Sequence, residues 1–207
     1  MTQASDPLQD DTTALAELVS SRLCHDLINP VGAIGNGVEL LQSLVPGSPE
    51  LDLIAESTGM ATAKVRFFRI AFGAARSSET IEAAVIDDIL AGVYASGRLR
   101  INWTPRALHR PEARLLFLAI LCAESALPAG GTLGIDIAPP RLSIQAMGRR
   151  TRFETPPWSH LLDGTQIEGC SSAQVHFLLV RRFLSVEGRS AKLTERDDGF
   201  ELDFQPG

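Results

Sequence analysis

Residues 23–72 read LCHDLINPVGAIGNGVELLQSLV (23–45), PGSP (46–49) and ELDLIAESTGMATAKVRFFRIAF (50–72), and this stretch decides the fold. In its first part Leu23, Leu27, Val31, Ile34, Val38, Leu41 and Val45 recur at steps of four, four, three, four, three and four, the near-heptad spacing of an apolar helical stripe. Pro46-Gly47 stops that helix, which reaches back to about Thr13. Ser48 is placed to cap a second helix, with Pro49 at its first position, where a missing N–H does no harm. The second stripe runs Leu51, Ile54, Thr58, Ala61, Val65, Phe68 and Phe72 in unbroken steps of three and four. The pattern predicts a long antiparallel helix hairpin.

Two helices of about 25 to 30 residues, each about 40 Å long, cannot bury a seam of this length by facing only each other. The simplest solution is a four-helix bundle completed by a second copy of the chain, a two-fold homodimer. The alternative is that both helices pack on the C-terminal half of the same chain.

After Arg76-Ser77-Ser78 the pattern changes. Residues 80–94 read as a helix, Arg98–Trp103 as a strand and Pro111–Leu127 as an apolar helix opened by proline. Strands at Thr132–Ile137 and Arg141–Met147 flank Pro139-Pro140. A loop, a helix at Ser172–Val186 and two strands near Arg189–Glu195 and Gly199–Phe204 complete the chain. Trp103, Phe117, Phe177 and Phe183 read as core. The fold class predicted is α+β: an N-terminal helix hairpin forming a dimeric four-helix bundle, then an α/β sandwich with a mostly antiparallel sheet. Residues 1–12 are assigned to a flexible N-terminus, 13–76 to the hairpin and 77–207 to the sandwich, with the boundary near residue 77.

The chain has 207 residues, 44% hydrophobic and 21% charged, enough to build a real core. A formal charge of −6 speaks against direct nucleic-acid binding through a global basic field. Cys24, Cys122 and Cys170 lie far apart without metal-ligand spacing, so neither a disulfide framework nor a zinc site is expected, and a reducing cytoplasmic setting fits. The opening MTQASDPLQDDTT is polar and acidic, and no stretch reaches the roughly 18 apolar residues of a membrane span.

His25 lies two residues from both Leu23 and Leu27, so it is rotated about 200° from each and projects outside the stripe. A lone surface histidine usually has no task, but its neighbours point to one. Asp26 can reach one ring nitrogen, hold the proton there and leave the other as a nucleophilic lone pair. Asn29, at i+4, and Arg22, at i−3, share the face of His25, and Arg22 could meet an anion there. Pro30 has no N–H for the carbonyl of Asp26, which bends the helix just beyond the histidine. His109, His160 and His176 lack metal-like spacing, Glu124 and Asp136 read as surface charges, and Arg149-Arg150-Arg152 reads as a solvated loop.

The segment His25-Asp26-Leu27-Ile28-Asn29-Pro30, on the first helix of a hairpin, resembles the H-box of two-component histidine kinases, whose dimerisation and phosphotransfer domain is a dimeric four-helix bundle. From about residue 14 to 205 the sequence is similar to the ChpT family of alphaproteobacterial histidine phosphotransferases. The resemblance implies that His25 is the phosphoacceptor, that Asp26 assists it, and that Asn29 holds the position linked in kinases to dephosphorylation of the partner. Arg66 or Arg69 on the second helix is expected to join Arg22 and Asn29 on the partner-binding face. The implied partners are the receiver domain of a hybrid histidine kinase as donor and response-regulator receivers as acceptors.

Leu116–Thr132 followed by strand–turn–strand resembles the GHKL ATP-binding domain, with Pro128-Ala129-Gly130-Gly131-Thr132 matching its helix-to-strand turn. ATP chemistry there needs helix asparagines for Mg²⁺ and phosphate, an aspartate before glycines for adenine, and a Gly-rich lid. The chain instead reads Ala119-Ile120-Leu121-Cys122-Ala123-Glu124, Ala146-Met147-Gly148 and Gly169-Cys170-Ser171-Ser172-Ala173-Gln174. No intrinsic cofactor is therefore expected, and the receiver would bring the Mg²⁺. The sequence thus points to a phosphorelay histidine phosphotransferase that does not use ATP. The competing readings are an ATP-dependent sensor kinase core and a non-catalytic dimeric scaffold.

Overall fold

The computed structural model describes residues 7–74, 79–167 and 169–207. Helices α1 (Pro7–Leu44) and α2 (Pro49–Phe72) form the expected hairpin. Ser48 caps α2, its hydroxyl oxygen accepting from the Leu51 N–H at 3.4 Å; Pro49 follows, and Glu50 and Asp52 place negative charge in the first turn. Pro30 sits inside α1. It is followed by Gly32, Gly35 and Gly37, of which Gly35 faces Thr58 and the other two face open space.

The apolar stripe of α1 splits between two directions. Cys24 and Val38 are buried against α2, whereas Leu23, Leu27, Ile34, Leu41 and Val45 remain 48–58% exposed. On α2, Ala63, Phe67, Ile70 and Ala71 are buried. That helix packs along the C-terminal half, so the alternative of packing within one chain holds for α2 and leaves a row of α1 uncovered.

The C-terminal half contains β1 (Thr80–Ile81), α3 (Ala83–Tyr94), β2 (Leu99–Trp103), β3 (Leu108–His109), α4 (Arg110–Ser125), β4 (Gly131–Ala138), β5 (Arg141–Met147), α5 (Pro157–Asp163), α6 (Val175–Val186), β6 (Arg189–Arg196) and β7 (Gly199–Pro206). Strands β2-β4-β5-β7-β6 form one sheet in that order; β2 pairs parallel to β4, and every other neighbour is antiparallel. Strands β1 and β3 make a separate antiparallel pair. Leu133 of β4, Ile144 of β5 and Phe200, Leu202 and Phe204 of β7 turn one sheet face toward the helices. Between them lies α4, whose residues Leu115, Leu116, Phe117, Leu118, Ala119 and Ile120 are at most 1% exposed.

The fold class is the α+β arrangement expected. The helix expected over 80–94 begins at Ala83, because Thr80 and Ile81 pair with His109 and Leu108. The segment expected to be a loop before residue 172 contains α5, and a 3-10 turn, Ser172–Gln174, precedes α6. The boundary placed near residue 77 lies outside the described residues, as do residues 1–6 of the segment assigned to a flexible N-terminus. Helix α1 begins at Pro7, ahead of Thr13. Phe117 and Phe177 are core, while Trp103 and Phe183 are half-buried. Among the described residues no helix is long and apolar enough to cross a membrane.

Phe67 joins the two halves: it is 1% exposed and meets Phe117 of α4 at 4.6 Å and Tyr94 of α3 at 6.2 Å between ring centroids. Phe67→Ala is expected to destabilise the chain by about 3–5 kcal/mol through lost transfer energy and the cavity left behind. Urea unfolding followed by circular dichroism measures it, and a loss below about 1 kcal/mol would contradict this packing.

A second expectation concerns His176 on α6, which is buried with no hydrogen-bond partner for Nε2. Desolvation pushes its pKa down from 6.5 to about 4. The folded chain holds the ring neutral while the unfolded chain takes up a proton below about pH 6.5. Stability is therefore full above that pH and falls as pH drops toward 4, by about 3 kcal/mol for this group. The unfolding midpoint of His176→Leu should fall less between pH 6.5 and 4.5 than that of wild type; equal slopes would remove His176 as the source.

Candidate phosphotransfer site

His25 projects from α1 with its side chain 69% exposed. Its Nδ1 lies 3.4 Å from Asp26 Oδ1, and Arg22 Nε donates to Asp26 Oδ2 at 2.7 Å. The hydrogen bond from His25, reinforced by Arg22, holds the Asp26 carboxyl below the usual carboxylate range. Asp26 therefore stands ionised beside Nδ1 and favours the tautomer protonated there, which leaves Nε2 as the nitrogen with a lone pair. Arg22 and Asp26 form an i, i+4 pair across the face that carries His25. Asn29 is exposed one turn further on.

The opposite helix is aligned by Gln42 Nε2 donating to Asp52 Oδ1 at 2.8 Å at one end and by Ser21 against Gly73 at the other. This antiparallel register places His25 level with Phe68 and Arg69. The Arg69 charge acts on the Cys24 thiol across the hairpin, although burial outweighs it and pushes that thiol up. Arg66 points elsewhere: its Nη1 meets Asp88 Oδ2 of α3 at 2.5 Å. Of the two arginines suggested on α2, Arg69 is level with the histidine in the hairpin register and acts on the neighbouring Cys24, and Arg66 ties α2 to the C-terminal half.

Beside Phe68 a groove of about 460 Å³ opens between α2, α3 and the end of α4, with Lys64, Tyr94, Arg98 and Glu124 among its lining residues. Tyr94 Oη donates to Glu124 Oε2 at 3.0 Å, and burial with that carboxylate nearby pushes the phenol up. The groove puts the C-terminal half at the same level as His25.

Ala119, Ile120, Cys122 and Ala123 of α4 are fully buried, and Glu124 is engaged by Tyr94. The remaining histidines have local roles. His109 caps α4 in a reciprocal arrangement with Glu112, and His160 Nδ1 contacts the Thr165 carbonyl at 2.8 Å. Arg149 and Arg150 are exposed in the loop after β5, and Arg152 pairs with Glu154.

Sequence reasoning missed Glu17 and Arg114, whose side chains meet at 2.6 Å between α1 and α4. The Glu17 side chain is largely buried, a position where an acid needs a partner, but no local pattern names one.

A model of the histidine phosphotransferase C-terminal domain matches residues 83–199. The protein phosphotransferase ChpT of Brucella abortus (strain 2308) is 34% identical over 150 residues, covering 69% of this chain and 71% of that protein. A solved bacterial phosphotransferase shares the fold with a TM-score of 0.65 at 23% identity, covering 98% of each chain. With these matches the chain is placed: it belongs to the histidine phosphotransferase family.

Proposed function

We propose that this chain is the histidine phosphotransferase of a two-component phosphorelay, accepting a phosphoryl group from a receiver-domain aspartate onto His25 and passing it to response-regulator receivers. The observation that carries the reading is an exposed imidazole whose Nδ1 is held by an ionised Asp26 in a chain of this family. The His25 Nε2 lone pair attacks phosphorus in line as the bond to the donor aspartate breaks and the carboxylate leaves. Asp26 keeps the proton at Nδ1 and offsets the positive charge that develops on the ring. In the second transfer an acceptor aspartate attacks, and the histidine nitrogen is the leaving group.

The receiver would bring Mg²⁺ with it; the chain's own residues position and neutralise. In this reading Arg22, Asn29 and Arg69 join the histidine on the docking face, and a receiver seated there would border both the hairpin and the groove beside Phe68. A homodimer completes the bundle in this reading, supported by the half-exposed row of Leu23, Leu27, Ile34, Leu41 and Val45. The cytoplasm is where such receivers reside.

The test is incubation with a phosphorylated receiver and, separately, with Mg²⁺ and ATP. Label should pass from the receiver into an acid-labile, base-stable phosphohistidine, and none should come from ATP. Autophosphorylation from ATP would sink this reading in favour of a kinase core.

A further inference from the structure

Arg110 and Arg114 stand one turn apart on α4 and reach out of the C-terminal half to the end of α2. Arg110 donates from Nε to the Ala74 carbonyl at 2.9 Å and from Nη2 to the Arg69 carbonyl at 3.1 Å. Arg114 donates from Nε to the Ala71 carbonyl at 3.2 Å and from Nη1 to Glu17 Oε1 of α1 at 2.6 Å. The last carbonyls of a helix lack amide partners of their own, so side chains from the other half complete α2. Glu17 does something that capping does not require, because it brings in α1.

The Arg114 and Glu17 side chains are 8% and 12% exposed, against 76% and 48% for the surface pair Arg22–Asp26. A buried, charge-assisted pair is sheltered from water and salt and holds a direction that an exposed pair does not. Gly73 closes the same corner: a Cβ there would lie 3.2 Å from Ser21 Oγ and 3.3 Å from Arg110 Nη2. Three helices meet at this point with no room for another side chain.

Helix α4 is the buried centre of the C-terminal half, packed against α6 and the sheet. Glu17 precedes His25 by eight residues, about 12 Å along the helix. We infer that Glu17 and Arg114 are positioning residues for phosphotransfer, a latch that fixes the angle between hairpin and sandwich so that a receiver at His25 meets both halves at one spacing. The inference rests on the phosphorelay reading above. A chain that handed its own nucleotide's phosphoryl group to its own histidine would have to swing its halves together and apart, and a pair buried at their junction opposes that motion.

The test compares the full-length wild type with Glu17→Gln, which keeps the shape and an acceptor but removes the charge, and with Arg114→Lys, which keeps the charge but loses the fork. Spin labels at the exposed Glu39 and Lys192, diluted with unlabelled chain, report the angle by double electron–electron resonance. Phosphotransfer is followed over a range of phosphorylated-receiver concentrations. Wild type should give one narrow distance and Glu17→Gln a broadened one. The receiver concentration at half-maximal rate should rise about tenfold in Glu17→Gln, with the saturating rate within about twofold, and Arg114→Lys should fall between. An unchanged half-saturating concentration, a loss confined to the saturating rate, or a rise without broadening would each overturn the latch. If wild type accepts no phosphoryl group, the phosphorelay reading falls, and the distances still decide the latch: an unchanged width in Glu17→Gln removes it and broadening upholds the fixed angle.

Discussion

His25→Ala is expected to lose phosphotransfer from a phosphorylated receiver by at least about a thousandfold, because no other group in the site offers a nitrogen lone pair to phosphorus. The side chain is exposed and its contact with Asp26 is long, so folding should be untouched, with stability within about 0.5 kcal/mol of wild type. Receiver binding should also survive, since the docking surface stays in place. That combination separates the relay from a non-catalytic scaffold, which predicts that signalling through the variant persists. Transfer that continues in His25→Ala would end the assignment of the phosphoacceptor.

The double variant Ile34→Asp/Leu41→Asp should convert the proposed homodimer to monomers. Both side chains are about half exposed in a single chain, so carboxylates there cost an isolated protomer little. In a paired bundle each would be an unpartnered charge taken out of water, at about 3–5 kcal/mol. That weakens association by a factor of about a hundred or more for each site. Sedimentation at micromolar concentration measures it. Unchanged mass in the double variant, or a wild type that already sediments as a monomer, would refute the dimer.

The hairpin was legible because its signal is long: a run of threes and fours over fourteen apolar or small positions specifies a helix face, and Ser48-Pro49 marks where the second helix starts. Strands β4 and β5 were legible for the same reason at period two. Helix α5, of seven residues opening on Pro157, is too short to show a period, and β1 and β3, two residues each, exist only because they find one another. The histidine could be placed outside the stripe by rotation alone. What rotation does not give is the partner of a long side chain. Arg66 and Arg69 are three residues apart on α2, yet one reaches Asp88 and the other stands opposite Cys24. The pairing of Glu17 with Arg114 spans 97 positions and depends on how the halves are set against each other.

Pro30 and the three glycines behind it have a consequence for how the imidazole is presented. Proline removes one ladder bond, and each interior glycine weakens a helix by about 1 kcal/mol relative to alanine. The backbone just past His25 is therefore intrinsically supple, and its direction depends on what packs against it, α2 on one side and, in the proposed homodimer, the partner's helices on the other. On warming, fidelity of aim should fail before the fold melts: amide exchange along residues 31–37 should quicken, and transfer should slow, at temperatures where the sandwich is still intact.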